Sequence, residues 1–128
     1  MQFPNAVEST ESIARYLLEN SKFSAVNMRV YYSAFTPAKD NVMSAYRVTA
    51  MHHDEILELG SNHVARPQGK EVKAYAVVSA QVIEAQSLQM IPTLQPHPRH
   101  VDVVGWTEKE ANRSKAHIIA EHAKLVLK

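Results

Sequence analysis

The chain turns its corners on proline. Three glycines serve all 128 residues, whereas Pro37, Pro67, Pro92, Pro96 and Pro98 stand between stretches of regular hydrophobic pattern. Glycine scarcity removes whole families of fold, because a Walker loop or a dinucleotide fingerprint needs closely spaced glycines to let backbone approach a phosphate. What remains mixes helical and strand-like segments without the β-α-β alternation of a doubly wound sheet. The expected class is therefore α+β: one compact domain over residues 1–128, a short, mostly antiparallel sheet with N-terminal and C-terminal helices packed on it.

Periodicity places the elements. Ile13, Tyr16 and Leu17 recur at i, i+3 and i+4 and predict a helix over 9–20, capped by Ser9 or Thr10. From Val26 to Phe35, Met28, Val30 and Tyr32 alternate with Arg29, Tyr31 and Ser33, as in a half-buried strand. Val42–Thr49 reads as a second strand, and the turn at 36–41 makes the two a hairpin. A short helix follows over Asp54–Leu59, stopped by Gly60, then a strand at Val72–Val78 and a helix at Ser79–Ala85. Short strands are expected at Leu88–Ile91 and Val101–Val104. Thr107 with Glu110 forms a capping box for a closing helix to about residue 125. The apolar faces put Ile13, Leu17, Val30, Val48, Val101, Val103, Ile118 and Leu125 in one core.

Composition narrows the function. A formal charge of +1 gives no general attraction for nucleic acid, and the lack of cysteine excludes disulfides, thiolate nucleophiles and the usual structural zinc sets. Seven histidines are the titrating resource. The first residues lack the charged and apolar regions of a secretory leader, and no apolar run approaches the ~20 residues that cross a bilayer, so a cytoplasmic protein without membrane contact is expected.

The densest site candidate runs from Pro96 to Trp106. His97 and His100 have H-x-x-H spacing with Asp102 nearby, but so few ligands predict no metal, and no cofactor is expected. The hairpin would bring Arg29, Ser33 and Arg47 toward Arg99 and His100. There the arginines would grip a phosphate or carboxylate with forked hydrogen bonds and His100 would act as catalytic acid or base. Trp106 is either a staple on the closing helix or the aromatic wall of that site. His117 with Glu121 at i, i+4 and the run His52-His53-Asp54-Glu55 read as solvated polar groups.

The segments Arg29-x-x-x-Ser33-Ala34-Phe35, Ser44-Ala45-Tyr46-Arg47 and Arg99-His100 through Gly105-Trp106 resemble those of a group of small uncharacterised bacterial proteins, which read S-A-F, S-x-F-R and R-H-x-x-I-x-G-W-P. The chain departs from them at Tyr46 and Thr107. The resemblance implies a bacterial cytosolic protein, carries no activity with it, and draws attention to Arg47, Arg99 and His100. The expected function is regulatory or interactive: a monomer or homodimer binding an anionic small molecule or a protein partner. A metal-independent hydrolase or nuclease-like toxin working through His100, and an inhibitor or immunity-type protein, are the alternatives.

Overall fold

A central strand carries the architecture. In the computed structural model, which describes residues 6–128, β1 (Ser12–Leu17) lies inside a six-stranded sheet in which every pairing is antiparallel. The chain is a single α+β domain; residues 1–5 of the expected range lie outside the described residues. After β1 come the two-residue strands β2 (Phe23–Ser24) and β3 (Arg29–Val30), which pair only with each other, then β4 (Met43–Arg47) and helix α1 (His53–Gly60). Next are β5 (Ala74–Ser79), α2 (Ala80–Glu84), β6 (Gln89–Pro92), β7 (His100–Val104), α3 (Lys109–His122) and β8 (Lys124–Leu127). The sheet order is β6-β7-β4-β1-β5-β8.

Both faces of the sheet are covered, so there are two apolar clusters and not the single core expected. Alternation along the strands sends Ile13, Leu17, Met43, Ala45, Val101 and Val103 to one face, under Phe35, Trp106, Ala116 and Ile119. Ala14, Tyr16, Tyr46 and Tyr75 go to the other face and meet Ile56 and Leu59 of α1. Tyr16 anchors that second layer: its hydroxyl donates to the Ile56 carbonyl at 2.6 Å, and its ring packs edge-on to Tyr46 and Tyr75. Gly60 is required here because a Cβ at that position would run into the Tyr16 ring.

Several expected elements are corrected. Residues 9–20 form no helix; Ile13 and Leu17 face one layer while Ala14 and Tyr16 face the other, and a strand buried on both sides carries the same apolar density as a helix face. The expected strand at 26–35 shrinks to β3 and is followed by a 3₁₀ turn over Tyr32–Phe35, while Val26 and Met28 stand exposed. No hairpin joins it to β4, whose partners are β1 and β7. The short helix does not stop at Gly60 but runs into a π turn at Ser61–Ala65 and a 3₁₀ turn at Arg66–Gln68. Helix α3 begins after Glu108 without the Thr107–Glu110 box; the Thr107 amide is instead satisfied by Asn112 Oδ1 at 2.8 Å. It ends at His122, so Leu125 is buried from a strand while Ile118, expected inside, is 39% exposed. Among the described residues no helix is long and apolar enough to cross a membrane.

Candidate functional site

Strands β1 and β4 are paired only at Ile13 with Arg47 and Ala14 with Tyr46. Beyond that they part, and Arg15 fills the gap. Its Nε donates to the Ala34 carbonyl at 3.0 Å and its Nη1 to the Ser44 carbonyl at 2.8 Å, so one guanidinium ties the 3₁₀ turn to β4 in place of the missing ladder. Burial pulls its pKa below the ordinary arginine range. No carboxylate pairs with it among the described residues, and Nη2 has no protein partner while remaining accessible.

The gap opens into a cavity of about 330 Å³, lined by Arg15, Ser44, Tyr46, His63 and His100 among others. Val64 and Gln68 of the π and 3₁₀ turns close it from the α1 side. A larger hollow of about 430 Å³ near Tyr32 is bounded by Lys39, Lys109 and Arg113, but these are exposed, solvated cations. The Arg15 cavity joins a desolvated cation to histidines.

His100 is held in a defined state. The single proton of the Thr93 hydroxyl goes to the Gln95 carbonyl at 2.8 Å, so at 2.6 Å this oxygen accepts the Nδ1 proton of His100. Asp102 Oδ1, 4.0 Å from Nδ1, favours the same tautomer. The Nε2 lone pair is then left without a protein partner and accessible, in position to accept a proton or hydrogen bond from a group in the cavity. Burial lowers the His100 pKa and Asp102 opposes the shift; the edge of the ring meets Tyr46, with centroids 5.2 Å apart. Burial raises the Tyr46 pKa, so its phenol stays protonated at neutral pH. His63 leans on His97 with ring centroids 4.8 Å apart, and the His97 pKa is lowered by burial, then by His63 and Arg99.

The expected arginine cluster is not one site. Arg47 is buried, 1% exposed, and holds Glu11 through Nε to Oε1 at 2.8 Å and Nη2 to Oε2 at 2.7 Å. Tyr46 is opposite His100 in the β4–β7 ladder, so alternation turns Arg47 to the other face. Arg99 lies beside Arg47, donating from Nη1 to its carbonyl at 3.1 Å, and neither arginine lines the cavity. Arg29 lines a separate hollow with Tyr32, His117 and Glu121. Ser33 sits on the far side of Arg15, in a smaller cavity. Trp106 is neither pocket wall nor solvent-facing; it is buried in the opposite layer, with Nε1 donating to the Val103 carbonyl at 3.1 Å. Of the site residues expected from sequence, His100 alone lines the Arg15 cavity; Arg15, His63 and Tyr46 are not among them.

Three further histidines are engaged elsewhere. His53 Nδ1 meets the Tyr75 hydroxyl at 2.8 Å, His117 stacks on Tyr32, and His122 Nδ1 meets the Ile118 carbonyl at 2.9 Å. No cluster of three or more metal-ligating side chains occurs among the described residues. The chain matches no family model, no curated protein and no solved structure.

Proposed function

We propose that this protein binds a small anion, a phosphate or carboxylate group, in the cavity at the β1–β4 split. The observation that supports the reading is Arg15: a desolvated guanidinium fixed by two carbonyls, with one nitrogen open and no carboxylate beside it. A half-buried cation without a counter-charge has lost part of its hydration, and a ligand anion offsets that loss while receiving a pre-oriented donor. Tyr46 supplies a neutral hydroxyl, and the His100 Nε2 lone pair accepts a hydrogen bond from an O–H or N–H group that the ligand carries beside its anionic group. The reading keeps the anionic ligand and His100 expected from sequence and gives the cationic role to Arg15, not Arg47 or Arg99. The regulatory role, the bacterial source and the cytoplasmic setting rest on the sequence reading and its resemblance alone.

Isothermal titration with orthophosphate and with acetate tests it. Saturable binding at one site per chain is expected, weakened about tenfold or more in Arg15→Lys, which keeps the charge but loses the planar fork. Equal affinity in the wild type and Arg15→Lys, or no binding of either anion, would overturn the proposal.

A further inference from the structure

Arg15 borders two cavities. On one side lies the space of about 330 Å³ with Tyr46, His63 and His100; on the other lies one of about 190 Å³ with Leu17, Leu18, Ser33 and Thr36. Tyr16, Val64 and Gln68 line both, so the two meet along the guanidinium. A terminal phosphate or carboxylate has a substituent on one side only and would leave one cavity unfilled.

We propose that the ligand is a phosphodiester, with a non-bridging oxygen on Arg15 and one neutral arm in each cavity. This rests on the anion-binding reading above and names its ligand class. The smaller cavity also holds the Glu19–Lys70 ion pair at 3.2 Å. The Lys22 ammonium on that side donates to the Ser33 carbonyl at 3.3 Å. The larger cavity, bordered by Tyr16, Tyr46 and imidazole rings, suits a flat arm such as a nucleobase. The smaller one, with leucines and the hydroxyls of Ser33 and Thr36, suits a compact alcohol or sugar. The class expected is a dinucleoside monophosphate or a comparably small diester, not a long polyanion, in keeping with the chain's charge of +1.

Calorimetry on the full chain compares uridylyl-3′,5′-adenosine, adenosine monophosphate and orthophosphate. The dinucleoside phosphate is expected to bind at least tenfold tighter than either monoester or free phosphate. Ser44→Trp narrows the larger cavity and Ser33→Trp the smaller, so each is expected to lower the diester affinity about tenfold more than it lowers that for orthophosphate; circular dichroism checks that the variants fold. Phosphate binding with no preference for the diester overturns this proposal and leaves the anion site standing. Diester binding that tolerates both tryptophans also overturns it. Failure of every anion to bind removes the site and this proposal together.

Discussion

Arg15 and Arg47 sit on neighbouring strands and differ in what neutralises them. Glu11 grips Arg47 with two hydrogen bonds, and the guanidinium holds the Glu11 carboxyl below the usual carboxylate range. Arg47→Ala removes both hydrogen bonds to Glu11 and leaves its carboxylate only the more distant charge of Arg99. Denaturant unfolding is expected to show a loss of about 3–5 kcal/mol, typical of breaking a buried pair, with anion affinity unchanged; a loss under about 1 kcal/mol would mean the pair contributes no more than a surface salt bridge. The sequence made Arg47 conspicuous because it lies in a clear strand among apolar neighbours, and from sequence such an arginine reads equally as ligand-binding or ion-paired. What decides is Glu11, a carboxylate 36 positions away. Arg15 was hidden for the converse reason. Within Ile13-Ala14-Arg15-Tyr16-Leu17 it passes for the polar stripe of an amphipathic helix, yet a lone cation in a run apolar on both sides is also what a central strand shows when it places a charge at a break in the sheet.

At the scale of elements, the strands bounded by proline or turn residues were legible and the chain ends were not. β4, β5, β6 and β7 fall within a residue or two of their expected positions, since valine-rich runs flanked by breakers have few other ways to fold. The last residues read as helix because Ile118, Ile119, His122 and Leu125 keep helical spacing; nothing in that spacing reveals that β5 has a free edge for β8 to cover. The two arrangements make different demands on stability. Leu125 is 4% exposed, so Leu125→Ala is expected to cost about 2–5 kcal/mol. Ile118→Ala, on the outer side of α3, is expected to stay within about 0.5 kcal/mol of wild type. Comparable losses in thermal or urea unfolding would instead place both side chains on the buried face of a continuous helix.

Over the whole molecule, the resolved titrations of Glu11, His97 and His100 share a sign. Each pKa lies below its ordinary value: for Glu11 because of Arg47, for the histidines chiefly because of burial. The unfolded chain therefore binds protons before the folded one does, and stability falls as pH drops. The window opens at the ordinary histidine pKa of about 6.5, reaches the carboxylate near 4, and continues down through the folded-state values. The urea midpoint is expected to decline steadily from pH 7 to pH 4; a midpoint constant or rising over that range would contradict these assignments. The α+β class was legible from pattern alone, but the site was not, because it depends on where two strands separate and on which turn closes over the gap. The most direct test of the anion site is an NMR titration with orthophosphate that follows the Arg15 Nε–H and the ring protons of His63 and His100. Saturable shifts at these three, with Arg29 and Arg113 nearly still, are the expected result. Shifts spread evenly over the exposed cations, or none at Arg15, would contradict it.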